Sequence, residues 1–224
     1  MNQGFIKVAA GTPQVTVADC KANTRAILEV IREMETQHAK LMVLPELCIT
    51  GYTCQDLFLQ RRLLDSAWES LLTIAEETAD VDALIFVGLP MRMNGKLYNV
   101  AAALNHGNIL GFVPKTHIPN YNEFYEQRHF ASGMDVWTEV TVGEESVPFA
   151  SNLIFSCEGL PELTVGAEIC EDLWVPLPPS VNLAQGGAHI IVNLSASDEM
   201  VGKDSYCRDL VKGQSARLVC GYIY

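Results

Sequence analysis

Three side chains of different chemistry each stand directly after an apolar run: Glu46 after Leu41-Met-Val-Leu-Pro45, Lys115 after Ile109-Leu-Gly-Phe-Val-Pro114, and Cys170 after Leu163-Thr-Val-Gly-Ala-Glu-Ile169. Such positions are the carboxyl ends of buried strands, which in open α/β sheets face the crevice where ligands bind. A thiol, a carboxylate and an ammonium are together sufficient for attack on an amide, which needs a nucleophile, a base and a cation for the developing oxyanion. A carboxylate placed after apolar residues is poorly solvated, a setting that suits a general base working near neutrality. Glu46 would take the thiol proton and Cys170 would attack the carbonyl carbon. Lys115, with a backbone N–H near Cys170, would stabilise the tetrahedral intermediate. The same carboxyl group would then protonate departing ammonia and activate the hydrolytic water. Read singly, each residue has a plainer role: a small core side chain for Cys170, a solvent-reaching or helix-capping carboxylate for Glu46, an exposed cation for Lys115. Their joint occurrence at three strand ends is what points to chemistry.

The elements that must position them follow an α/β alternation with no internal repeat, low-complexity tract or flexible linker. Phe5 to Ala10 reads as a buried strand, and Asp19 as the N-cap of a helix with Ile27, Ile31 and Met34 on one face. Leu41 to Leu44 is the next strand, stopped by Pro45. A second amphipathic helix carries Leu64, Trp68, Leu71, Leu72 and Ala75 at helical spacing, and a strand from Ala83 to Val87 follows it. Leu97 to Leu104 and Ile109 to Val113 read as two strands joined at Asn105-His-Gly-Asn108, with the glycine supplying a positive φ, so the sheet is expected to be mixed. Residues 114 to 150 read as irregular and rich in binding-type side chains. Strands resume at Leu153 to Ser156 and Leu163 to Ile169. A short helix near Val181 to Gln185, a strand Ile190 to Leu194 and a helix ending near Arg217 come next. Val219 to Tyr224 reads as a strand with nothing after it, which suggests a fragment.

Composition narrows the class. The 224 residues are 49% hydrophobic and 19% charged, the make-up of a soluble globular domain with a sizeable core. The formal net charge of −12 repels phosphate backbones and anionic lipid, so neither nucleic acid nor membrane is an expected partner. Seven cysteines without a CxxC pair, and an N-terminus lacking a basic start and apolar stretch, favour a reducing cytoplasm. No apolar run approaches the roughly 18 residues of a membrane span. The five histidines show no HxxxH or Cys pairing at ligand spacing, so no metal site is expected.

The local strings are more specific than the spacing. Leu44-Pro-Glu-Leu47 with Thr50-Gly-Tyr52, Pro114-Lys-Thr-His-Ile-Pro-Asn-Tyr121, and Gly166-Ala-Glu-Ile-Cys-Glu-Asp-Leu-Trp174 occur in the order that resembles the nitrilase, or carbon-nitrogen hydrolase, superfamily. Cys170-Glu-Asp-Leu-Trp174 and Asn193-Leu-Ser-Ala-Ser197 are similar to the N-terminal glutaminase domain of the glutamine-dependent NAD synthetase family, over essentially the whole chain. That resemblance implies an α/β fold, the nitrilase αββα sandwich of two mixed sheets flanked by helices. It implies Glu46, Lys115 and Cys170 as the catalytic triad, with Glu126 a further glutamate beside the lysine. It places L-glutamine against Tyr121, Ser197 and Lys203, with Glu171 lining the same pocket. The family position of Lys203 is often Arg, whose planar fork would make a two-pronged contact with the substrate α-carboxylate where Lys offers a point charge.

By the same resemblance, the whole of 1–224 is a glutaminase domain, C-terminally truncated. A synthetase domain that aminates nicotinic acid adenine dinucleotide with the released ammonia would then be its missing partner. ATP and Mg belong to that domain; no GxGxxG, no GxxxxGK followed by Ser or Thr, and no match to Ser-Gly-Gly-Val-Asp-Ser occurs here, so no cofactor is expected for this one. An exposed sheet edge and the family's habit of pairing through helical layers imply a homo-oligomer. Two other functions stay open: a free-standing amidase or nitrilase using the same three residues, and an inactive fragment that needs its partner domain. Replacing Lys203 by Ala separates the first of these, since only a glutamine site needs a group for the α-carboxylate. Alkylation of Cys170 no faster than the other cysteines would mark the second.

Overall fold

The computed structural model describes residues 4–224, and the chain builds four layers from them. The first sheet has seven strands in the order β1-β2-β3-β4-β5-β7-β6: β1 (Val8–Ala10), β2 (Leu41–Val43), β3 (Leu84–Met93), β4 (Lys96–Asn105), β5 (Asn108–Pro114), β6 (Trp137–Val142) and β7 (Glu145–Ala150). β1, β2 and β3 pair in parallel, β3 to β5 antiparallel, and β6 and β7 form an antiparallel hairpin. The second sheet runs β11-β10-β9-β8, from β8 (Ile154–Cys157), β9 (Leu160–Ile169), β10 (Ile190–Leu194) and β11 (Gly221–Ile223). Both sheets are mixed, since β8 is antiparallel to β9 whereas β9, β10 and β11 are parallel.

Period-two side-chain alternation divides the strands between two cores. Leu41, Val43, Phe86, Ala101, Ala103 and Val113 of the first sheet meet Val165, Ala167, Ile169, Val192 and Leu194 of the second in one buried cluster. The alternate residues of the first sheet, among them Met42, Ile85, Val87, Val100 and Ala102, pack on α1 (Cys20–Thr36) and α2 (Arg61–Glu77). α3 (Pro179–Gln185) covers the other face of the second sheet through Leu183 against Ile191, and α4 (Lys203–Leu218) lies beside it. This is the expected αββα sandwich.

Local signals explain two of the element ends. The Asp19 side chain accepts a hydrogen bond from Ala22 N at 3.0 Å and caps α1. His106 and Gly107 take φ of 47° and 81° in the turn between β4 and β5, the left-handed pair that a tight hairpin requires.

Four expectations need correction. β1 is a three-residue edge strand and Phe5 is exposed, because pairing with β2 reaches only Val8. On α2, Leu72 points to solvent, and Leu63, Ala67 and Ile74 complete the buried face instead. β3 runs on to Met93 and turns back at Asn94-Gly95 into β4, a second hairpin carried by positive φ at both turn residues. The stretch 114–150 is not wholly irregular: β6 and β7 lie within it, their half-exposed alternation too weakly apolar to stand out. All seven cysteines are free.

Gly88, on β3, shows how tightly the first strand end is held. A Cβ there would lie 2.4 Å from Leu47 N and 2.5 Å from Pro45 O, backbone atoms of the turn that carries Glu46. Gly88→Ala is therefore expected to cost about 3 kcal/mol, at the upper end of overpacking effects, because backbone cannot rotate away as a side chain can. Urea denaturation of the variant checks this; a loss below about 1 kcal/mol would mean the turn shifts freely.

Candidate active site

The carboxyl ends of β2 and β5, which run the same way in the first sheet, and of β9 in the second deliver Glu46, Lys115 and Cys170 to one place. Pro45 ends β2, and Leu47 (φ 52°) and Gly51 (φ 85°) fold the following turn back over Gly88. Glu46 is 2% exposed. Its Oε1 accepts from Lys115 Nζ at 2.6 Å and from Asn99 Nδ2 at 2.6 Å, and its Oε2 from Ala196 N at 3.1 Å. Lys115, fully buried, also donates to Glu126 at 2.8 and 3.0 Å. Tyr52 donates to the same Glu126 oxygen at 2.8 Å. Two carboxylates thus share the ammonium through three contacts, two of them to the one carboxylate of Glu126.

Cys170 sits at φ 46°, a left-handed conformation that a non-glycine residue holds only when its surroundings impose it. Its N–H donates to Asn193 Oδ1 at 2.8 Å, and Ser195 Oγ lies 3.4 Å from its sulfur. Asp172, 1% exposed, joins the two loops: it accepts from Ile169 N on the Cys170 side, and from Thr116 N, Thr116 Oγ1 and His117 N on the Lys115 side.

The electrostatics assign protons. Burial, then the Glu46 charge, pushes the Cys170 thiol well above its ordinary range, with Lys115 opposing them, so the resting thiol is protonated near neutrality. Burial alone would lower Lys115, but the acidic groups around it, Glu46 foremost, outweigh it and hold the ammonium above its ordinary value. A thiol that starts protonated needs a base at hand when it attacks, and Glu46 is the carboxylate whose charge it feels most.

Burial, reinforced by Glu46, pushes the Glu126 carboxyl up to about 6. A carboxyl raised in the folded chain adds stability that is full below the ordinary carboxylate range and lost as pH rises through about 6. Its protonation also withdraws a charge from Lys115. Turnover is therefore expected to fall on the acid side with a midpoint near 6, while the melting temperature does not fall over that interval. Glu126→Gln, which fixes the neutral form, should lower kcat across the range and remove the limb near 6, and a limb that persists there would exclude Glu126 as its source.

The remaining expected residues form two groups on the rim. Tyr121, half exposed, donates to both oxygens of Glu171 at 3.0 and 2.8 Å. Burial raises the Glu171 carboxyl, and Tyr121 opposes this. Both line an open cleft of about 800 Å³ with Thr116, His117 and Gln127. Lys203 donates to Ser197 Oγ at 2.6 Å, pairs with Asp198 and lies 5.3 Å above the Trp174 ring. Glu126 stands apart from both groups, its oxygens taken by Lys115 and Tyr52. Sequence reasoning gave no role to Asn99, nor to Tyr52, Asp172 or Asn193, which entered it only as members of the motif strings. A polar residue inside the apolar run Leu97 to Leu104, and another ending Ile190 to Val192, were the available signals for the two asparagines.

Among the described residues, no group of three or more His, Cys, Asp or Glu side chains is arranged to hold a metal ion, and no helix is long and apolar enough to cross a membrane.

Comparison with known proteins gives concordant matches. A glutamine-dependent NAD(+) synthetase of Mycobacterium tuberculosis is 38% identical over 221 residues, which are 99% of this chain and 32% of that protein. The crystal structure of a glutamine-dependent NAD(+) synthetase from Cytophaga hutchinsonii superposes with a TM-score of 0.86 at 32% identity, over 97% of this chain and 35% of that one. The chain thus spans about a third of the length of these relatives. An amidase from Nesterenkonia sp., 18% identical, shares the fold with a TM-score of 0.74, over all of this chain and 77% of the amidase. The sequence profile of the carbon-nitrogen hydrolases matches residues 7–209, so the chain belongs to the carbon-nitrogen hydrolase family.

Proposed function

We propose that the chain is a glutaminase domain that hydrolyses the carboxamide of L-glutamine through a Cys170 thioester. The ammonia would go to a synthetase domain that aminates nicotinic acid adenine dinucleotide, the domain to which ATP and Mg belong. The observation that carries this reading is the convergence of Glu46, Lys115 and the strained Cys170 in one buried cluster. Full-length relatives that are glutamine-dependent NAD(+) synthetases support the choice of substrate and of partner.

In the first half-reaction Glu46 takes the thiol proton as sulfur attacks the carbonyl carbon. The oxyanion is stabilised by the Lys115 ammonium, which can turn one hydrogen from its paired contact with Glu126. It also receives a backbone N–H beside the nucleophile, for which Glu171 N is the candidate, since Ile169 N and Cys170 N are engaged by Asp172 and Asn193. Collapse expels the amine, protonated by Glu46, as ammonia. In the second half Glu46 takes a proton from water, which attacks the thioester and releases glutamate and the thiol. At the rim Lys203 faces the α-carboxylate, and Glu171, held by Tyr121, the α-amine.

The test is intact mass spectrometry after incubation with a glutamine-mimicking diazoketone, with Cys170→Ala as control. One adduct per chain, absent from the control and blocked by glutamine, is expected. An adduct that persists in Cys170→Ala, or none on the folded full-length protein, overturns the reading.

A further inference from the structure

On the helix-covered face of the second sheet, where period-two alternation places apolar residues such as Ile191, two buried polar side chains and a partly buried tyrosine form a line. Glu168 of β9 and Asn193 of β10 are register partners, each 1% exposed, and Tyr222 of β11 stands beside Ile191. Glu168 Oε1 accepts from the Tyr222 hydroxyl, and its Oε2 from Ser180 N at 2.8 Å. The Tyr222 oxygen in turn accepts from Asn193 Nδ2 at 3.1 Å, and Asn193 Oδ1 accepts the Cys170 N–H at 2.8 Å. None of the three is placed among the reacting groups, yet the line ends on the backbone of the nucleophile.

We propose that Glu168, Tyr222 and Asn193 act as a positioning relay that holds the Cys170 backbone in the left-handed conformation from which its sulfur meets Glu46 and Lys115.

The direction of each bond gives the physical reason. An asparagine amide can flip, and only one orientation presents oxygen to the Cys170 N–H. The Tyr222 oxygen is the nearer of two acceptors, with Cys170 O, that favour that orientation by taking a bond from Nδ2, and it accepts there while its own hydrogen points away to another acceptor. Glu168, anchored by Ser180 N, is that acceptor. Remove the hydroxyl and Nδ2 keeps only its long 3.5 Å contact with Cys170 O, so the barrier against turning the NH2 toward the Cys170 N–H is lowered. The strained Cys170 then loses the bond that offsets its conformation, and an unmade buried hydrogen bond is costly. The relay also keeps the Cys170 N–H occupied, so the backbone donor for the oxyanion must be a different N–H.

This inference rests on the amidohydrolase reading for its kinetic arm and is independent of it for its chemical arm. In the full-length protein, Tyr222→Phe and Glu168→Gln are compared with the parent by two readouts: glutamine kinetics, and the rate and final stoichiometry of Cys170 alkylation by iodoacetamide, followed by peptide mass spectrometry. Glu168→Gln keeps the shape but reverses the polarity of the line, because an amide that accepts from Ser180 N must donate to Tyr222. We expect Tyr222→Phe to lower kcat about tenfold with KM within twofold. It should slow Cys170 alkylation by a similar factor, with full labelling at the endpoint, and Glu168→Gln should move both readouts the same way. Alkylation at the parental rate in Tyr222→Phe overturns the relay, as does a slower rate matched by an equal loss of labelled fraction, which signals misfolding alone. Should Tyr222→Phe fail to fold, Glu168→Gln decides by the same criteria. If the parent does not hydrolyse glutamine, the function assigned above falls while the alkylation comparison still tests the relay.

Discussion

Lys115→Met is expected to lose turnover and about 3–5 kcal/mol of stability together, the cost of breaking a buried ion pair by removing one partner. Lys115 is fully buried and stands 2.6 Å from Glu46 and 2.8 Å from Glu126. Methionine matches its length and supplies no charge, so two carboxylates are left facing each other with Asn99, Ala196 and Tyr52 as their neutral donors. Like charges at this range cannot both stay ionised, and one carboxyl must bind a proton in the folded variant. The deficit against the parent should therefore shrink as pH falls, because acid supplies the neutralisation that the ammonium gave. Urea denaturation at several pH values, with kcat alongside, reads both effects. A variant less than about 1 kcal/mol weaker than the parent, or one that keeps its turnover, would show that Lys115 is not the counter-charge of the cluster.

Glu46→Gln separates chemistry from folding. A glutamine carbonyl can still accept from Lys115 and Asn99, and the substitution removes one of two negative charges crowded around a single ammonium. The conflict it introduces is local, an amide NH2 facing Ala196 N–H, where Oε2 now accepts at 3.1 Å. The fold should persist, with a melting temperature close to that of the parent. What vanishes is the acceptor for the thiol proton. A positioned general base is worth about 10²–10⁴-fold, so kcat is expected to fall by that factor with KM little changed. Stopped-flow ammonia release would show whether thioester formation is the step affected, and a kcat within threefold of the parent would remove Glu46 from the role of base.

Both predictions depend on residues that the primary structure places far apart, and the clue to each was a reactive side chain closing an apolar run. That clue works because a buried strand demands continuous apolar side chains, so the first polar residue after it marks the sheet's edge. It worked equally for Glu46, Lys115 and Cys170. Glu126 had no such clue. It lies in an irregular, polar stretch where a carboxylate ordinarily faces water, and only the folded chain shows it 5% exposed against Lys115. The β6 and β7 hairpin was illegible for a related reason: one face of it is open, and the alternation of Trp137 to Val142 carries little apolar contrast.

The positions of most helices and strands, the mixed character of the sheets and the chemical types at the three strand ends were legible in the order of residues, because periodicity and capping act over a few positions. Which strand ends meet was not. The 2.6 Å contact between Glu46 and Lys115 joins residues 69 positions apart, and the Ala196 N–H reaches Glu46 across 150. Such pairings follow from the strand order of two stacked sheets, where a one-residue slip would turn every side chain to the opposite face. The protonation of the site was equally a matter of tertiary structure. A cysteine beside apolar residues is an ordinary core residue until the fold sets two carboxylates and an ammonium around it, and burial and charge at that distance decide where its proton goes.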